Sequence, residues 1–183
     1  MLKLVKHPDP VLKQPATTWE FGCEWPSADE IEDQMLDVMM AEKGIGLAAN
    51  QVGLLKRVFA IKLSTGRSFC MFNPRVISTS EKMQSGDEGC LSFPDLWLEI
   101  SRPMEVVAEY FDKNAQECKI TLTGLDARCF LHELDHLDGV CFTDGVGQLK
   151  LALAVKQQQQ RKSYENRYQM KRCKYTTGAQ NED

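Results

Sequence analysis

A chain of 183 residues with 43% hydrophobic side chains is long enough to bury one core without staples. Its net charge of -4 and pI near 5.5 argue against a protein that coats nucleic acid. Seven cysteines, at 23, 70, 90, 118, 129, 141 and 173, include no C-x-x-C pair, so they read as thiols of a reducing compartment, mostly small core hydrophobes.

The first residues, Met1 to Pro8, hold no apolar run of useful length and are cut by Pro8 and Pro10, so no signal peptide is expected. No stretch approaches the ~20 apolar residues of a membrane span. Ser27 followed by Glu30 predicts a capped helix start. Ile31, Met35, Val38 and Met39 then recur at helical spacing, and Gly44 is the expected stop. The stretch GIGLAANQVG, residues 44–53, predicts a tight turn leading into a buried segment. Residues 57–63, 68–77, 103–111 and 119–122 carry the β-branched and aromatic content of strands.

Thr123 and Gly124 open a second helix that Gly139 should end. Leu125, Cys129, His132 and His136 share one stripe of it, while Ala127, Phe130, Leu131, Leu134 and Leu137 fill the rest. A helix apolar nearly all round packs on several sides. Two histidines and a glutamate there are costly unless something pairs with them. From 150 to 174 the chain carries eight basic residues against one acid, Glu165. That segment reads as a solvated helix, with RNA contact as the functional alternative.

The stretch HELDH, residues 132–136, carries the most specific chemistry. Histidines four apart on a helix have Cβ atoms ~6 Å apart and can reach one ion. Glu133, ~100° round from His132, is displaced from the ligand set but stays beside a water activated by that ion. A third ligand is needed. A metalloprotease of the extended H-E-x-x-H type would place histidine at 142, where Phe142 stands. A downstream glutamate would have to be Glu165, without the pattern such enzymes show, and His7 reads as a surface residue. An upstream cysteine remains, with Cys90 in the mid-chain stretch DEGCLSFP, residues 87–94.

Three segments together, Gly44 to Gln51 (GIGLAANQ), Glu88 to Ser92 (EGCLS) and His132 to His136 (HELDH), resemble the signature motifs of the peptide deformylase family, in the same order and at compatible spacing. The resemblance implies an α+β single domain, with antiparallel β-sheets packed around a central metal-binding helix, an N-terminal helix and a C-terminal helix. Residues 1–149 would form the deformylase-like catalytic region and 150–183 a basic C-terminal helix and tail of the same domain.

It further implies hydrolysis of the N-formyl group from formyl-methionine at the start of new polypeptides, releasing formate. Cys90, on a loop, with His132 and His136 would hold one divalent metal. Fe²⁺ is favoured by the family, with Zn²⁺, Ni²⁺ or Co²⁺ also compatible with a mixed nitrogen and sulfur donor set. Glu133 would act as base and acid, and the Gln51 amide and the Leu91 N–H would stabilise the oxyanion. Ile45, Gly46, Gly89, Leu125 and Cys129 would bind substrate, the first three by strand-like pairing. Glu88 with Arg102 would hold the Cys90 loop, and Asp135 and Asp138 are candidates to support the histidine N–H groups, with a solvated helix end the equal reading for Asp138.

The implied partners are the formyl-methionyl nascent peptide and, through the basic C-terminal helix, the ribosome; the protein would be a cytoplasmic monomer. Arg128 departs from the family pattern, placing a charge where an aliphatic side chain is usual, and Gly86 and Trp97 depart as well. An endopeptidase using the same water and base, and a metal-holding homologue without catalysis, are the competing readings.

Overall fold

A computed structural model describes residues 2–22 and 26–177, and in the last helix side chains as far as residue 164. In chain order the strands are Gly46–Ala48 (β1), Val58–Lys62 (β2), Ser68–Thr79 (β3), Met83–Cys90 (β4), Phe93–Pro103 (β5), Glu105–Phe111 (β6) and Glu117–Thr123 (β7). The α-helices are Ala28–Ala41 (α1), Gly124–Leu137 (α2) and Gln148–Thr177 (α3).

Side-chain alternation explains how these elements layer. In β2, Val58 and Ala60 face one side of the sheet and Phe59 and Ile61 the other, and all are buried. A strand apolar on both faces needs cover on both. The strand lies inside an antiparallel five-stranded sheet of order β1-β2-β3-β6-β7. Helix α1 covers one face with Ile31, Met35 and Met39, against Val58, Ala60, Cys70 and Phe72. Helix α2 covers the other with Ala127, Phe130 and Leu137, against Phe59, Ile61, Met71, Val106 and Leu122. The Phe59 and Phe130 rings meet edge to face at 5.4 Å, a favoured aromatic geometry.

Helix ends follow local chemistry. Ser27 Oγ accepts the Glu30 N–H (3.3 Å), and the Glu30 carboxylate accepts the Ser27 N–H (2.8 Å), which is the expected capping box. Helix α1 stops sooner than expected, at Ala41. Lys43, not Gly44, takes the left-handed conformation (φ 58°), and the Gly44 N–H closes the end on the Met39 carbonyl (2.8 Å). Gly139 does end α2 as expected, at φ 74°, with the Val140 N–H donating to the Asp135 carbonyl (2.9 Å).

The four expected strands are present as β2, β3, β6 and β7, although Pro103 closes β5 instead of opening β6. The stretch 44–53 contains the short strand β1 and a 3-10 turn, Ala49–Val52, and these two elements are buried while Ile45 and Gly53 are exposed. The hairpin β4-β5 has no counterpart among the expected elements. Met83–Cys90 reads MQSGDEGC, polar and twice interrupted by glycine, so no apolar alternation marks it. Cys90 therefore ends a strand and does not lie in a loop.

Strand β5 supplies Phe93, Leu96 and Leu98 to a third cluster with Leu12, Cys141 and Phe142. Leu151, Ala154 and Val155 of α3 pack against it, and the Lys150 ammonium donates to the Glu99 carbonyl (2.6 Å). The first half of α3 is thus docked, where a solvated helix was expected. Among the described residues no helix is long and apolar enough to cross a membrane.

Phe130→Ala is expected to cost about 3–5 kcal/mol, because it empties the contact between α2 and the sheet. Urea unfolding should show a lower midpoint at unchanged slope.

Candidate metal centre

Helix α2 brings His132 and His136 to one side, with ring centroids 4.9 Å apart and interplanar angle 82°. Across from them the pairing of β4 with β5 slips between Gly89 and Cys90. Such irregularities re-aim a side chain, and here the Cys90 Sγ comes to 3.2 Å from His136 Nε2. The ligand atoms of Cys90, His132 and His136 all lie within 4.8 Å of one another. His132 Nδ1 is engaged by Glu88 Oε2 (3.1 Å), which leaves Nε2 for an ion. The Asn50 amide donates to the His136 carbonyl and so ties this turn of α2 to the 3-10 turn.

Two imidazoles and a sulfur with room for a fourth ligand form a donor set that a divalent ion fits. Burial works against a proton on His132, yet the Cys90 sulfur and the Glu88 carboxylate draw one and push its pKa up to about 10. His136 is held well below its ordinary value by burial and by the His132 charge.

Glu133 stands beside this point. Its Oε2 is buried without a hydrogen-bond partner, and burial raises its pKa to about 7. Gly46 is what lets the carboxylate sit there: a β-carbon at 46 would lie 2.2 Å from Glu133 Oε1 and 2.8 Å from Cys129 Sγ. The Gln51 Oε1 accepts the Ala48 N–H (2.8 Å), and its Nε2 donates to Ser92 Oγ (3.1 Å) and toward Cys90 Sγ (3.3 Å). Asn50 and Ser92 were not singled out in the sequence, although both lie inside its motifs and both are fully buried polar groups, a state that demands partners.

Glu88 holds the assembly. Arg102 donates to it through Nε (2.7 Å) and Nη2 (2.9 Å), and reaches Asp135 through Nη1 (2.7 Å). Burial alone would raise the Glu88 pKa, but the bonds from His132 and Arg102 bring it down to about 2. The expected pair of Glu88 and Arg102 is therefore present. Support of His132 falls to Glu88, not to Asp135, which pairs with Arg102, nor to Asp138, which pairs with Arg57 (2.6 Å) at the exposed end of the helix, and the buried His136 Nδ1 has no hydrogen-bond partner among the described residues. Arg128 points inward and also donates to Glu88 Oε1 (2.7 Å).

Phe142 packs its ring 5.7 Å from His132 and 5.4 Å from Phe93. His7 is exposed and stacks on Phe93 at 4.7 Å. The side chains of Glu165 and Cys173, and Cys23, lie outside the described residues.

A cavity of about 580 Å³ opens in front of the centre. Ile45, Gly46, Gln51, Gly89, Leu91, Leu125 and Cys129 all line it, together with Cys90, His132 and Glu133, whereas His136 lies behind them. Leu125 sits at the mouth, 58% exposed, and the Cys129 thiol donates to the Ile45 carbonyl (3.3 Å).

Known proteins resemble this chain in sequence and fold. The family model described as polypeptide deformylase matches residues 1–152. The chain belongs to the peptide deformylase family. A peptide deformylase of Rhizobium meliloti is 37% identical over 159 residues, 84% of this chain and 89% of that protein. Among solved structures, a Synechococcus elongatus peptide deformylase in complex with actinonin is 37% identical, with TM-score 0.76 over 86% of this chain and 85% of that one. A Legionella pneumophila peptide deformylase reaches TM-score 0.80 at 29% identity, over 91% of this chain and 98% of that one. These deformylase neighbours share the single α+β domain.

Glu88→Ala leaves two guanidinium groups without their buried partner. A loss of about 3–5 kcal/mol is expected, measured by urea unfolding of the metal-free protein.

Proposed function

We propose that this chain removes the formyl group from formyl-methionine at the start of new polypeptides, releasing formate, with Cys90, His132 and His136 holding one divalent metal. The observation that carries this reading is the convergence of those three side chains beside Glu133, a buried carboxylate with an unpartnered oxygen. An ion held there would supply a Lewis acid that polarises the formyl carbonyl and acidifies a water. Glu133, with its pKa raised to about 7, is suited to take a proton from water and hand it to the departing amine. Water adds to the formyl carbon, the C–N bond breaks, and formate and a free amino terminus leave. The Gln51 amide and the Leu91 N–H are the donors we assign to the oxyanion.

Strands β1 and β4 support the assigned pairing with substrate, since among the described residues each pairs with one strand only, β2 and β5 respectively. An extended peptide laid between Ile45, Gly46 and Gly89 would meet backbone groups on both sides. Leu125 and Cys129 would face the methionine side chain. We take the protein as a monomer, and a nascent-peptide substrate suits the cytoplasm. We take residues 1–149 as the catalytic region and the basic C-terminal helix and tail, 150–183, as an appendage of the same domain. Fe²⁺ is the metal we assign, with Zn²⁺, Ni²⁺ and Co²⁺ acceptable to the same donors.

Formate release from formyl-Met-Ala, with metal content measured on the same anaerobically purified sample, tests the reading. Stoichiometric metal and formate are expected, and Glu133→Ala should lose roughly 10²–10⁴-fold in rate. Internal cleavage of unformylated peptides without formate would replace the deformylase by an endopeptidase.

The seven-charge basic excess of residues 150–174 supports ribosome contact through α3. Replacing Lys156 and Arg161 by glutamate, which leaves the docked residues Leu151 and Val155 in place, should weaken salt-sensitive cosedimentation with ribosomes. Unchanged cosedimentation would end the idea.

A further inference from the structure

Arg128 lies on the wall of the same cavity as Cys90 and Glu133 and is only 6% exposed. A guanidinium in such a place is costly unless acceptors surround it. Four do. Nη1 donates to Glu88 Oε1 (2.7 Å), to the Ile100 carbonyl (2.8 Å) and, at longer range, to the Gly86 carbonyl (3.3 Å), and Nη2 donates to the Gln84 carbonyl (2.8 Å). Every one of these acceptors belongs to the β4-β5 hairpin. The side chain thus pins the hairpin, which carries Cys90, to the helix that carries both histidines.

Gly86 provides the room. A β-carbon built there would lie 3.3 Å from Nη2, 3.4 Å from Cζ and 3.6 Å from Nε of Arg128. Any larger side chain at 86 competes with the guanidinium for one volume. Gly86 itself does not line the cavity; it sits behind the arginine.

We infer that Arg128 and Gly86 act as one specificity-determining unit, in which the guanidinium, seated in the space left by the glycine, closes the pocket wall and limits the length of the substrate's first side chain. The identity of that substrate rests on the deformylase reading above. Arg128 positions through the hairpin and through pocket shape, and takes no part in the bond changes. Shortening it opens a void continuous with the cavity. A side chain at 86 fills that void from behind.

The test compares kcat/KM for formyl-Met-Ala and for formyl-2-aminooctanoyl-Ala, whose unbranched first side chain is longer, on the metal-loaded full chain. Arg128→Leu should raise the ratio of long to normal substrate by about tenfold, the worth of roughly two buried methylenes. Gly86→Val in that background should bring the ratio back to within about threefold of the parent. Equal loss on both substrates with no change in ratio would mean a purely structural arginine and would overturn the inference. So would a double variant no different in ratio from Arg128→Leu alone.

Melting temperatures of the metal-free chain give a second measure, using the milder Gly86→Ala and Arg128→Lys. Gly86→Ala should lower the melting temperature of the parent and lower it less once Arg128 is replaced, whereas additive shifts would disprove the coupling. That cycle decides the coupling even if the parent releases no formate, the result that would sink the deformylase reading instead.

Discussion

The carboxylate of Glu88 is shared among Arg102, Arg128 and His132, so a single buried negative charge binds strand β4, strand β5 and helix α2 to one another. Charges taken out of water this way stay only when all are paired, because an uncompensated one costs several kcal/mol. The arrangement therefore tolerates little slack. Its consequence for the site is geometric: the strand that presents Cys90 and the helix that presents both histidines are fastened within a few residues of these candidate ligands. His132 is also oriented by the same carboxylate, so the clamp sets both the position and the ring nitrogen offered to an ion.

Around that clamp the chain brings polar atoms together at very short range, and small residues make this possible. At Gly46 the backbone passes so close to Glu133 and Cys129 that no β-carbon fits. Burial of the carboxylate raises its pKa to about 7, the range in which a group can both accept and return a proton near neutral pH. The Gln51 side chain is fixed by the opposite device, a set of hydrogen bonds to Ala48 and Ser92, which holds a flexible amide in place before any substrate arrives.

Arg128 and Gly86 show how a buried cation and a nearby glycine can be mutually consistent. Read singly, a buried cation is costly and a glycine behind it leaves space unfilled. In the fold they are neighbours, and the space given up by one is occupied by the other. Their partners are mostly main-chain carbonyls of β4 and β5, groups that every sequence possesses, so no side-chain pattern announces the pairing.

Much of this protein was legible in its sequence because the signals are local. Helical spacing put His132 and His136 on one face with Glu133 displaced between them, the capping box marked the start of α1, and β-branched runs marked four strands. The role of Cys90 came from motif resemblance, since nothing near it in the chain points to a metal. The tertiary structure alone decided the β4-β5 hairpin, whose polar, glycine-bearing first strand is stabilised by pairing and by guanidinium groups from β5 and α2, not by its own pattern. It also decided that Glu88, and neither Asp135 nor Asp138, supports a histidine, and that Arg128 turns inward. Each of those outcomes depends on residues far apart in the chain, and sequence periodicity reports only which face a side chain takes, not what waits across from it.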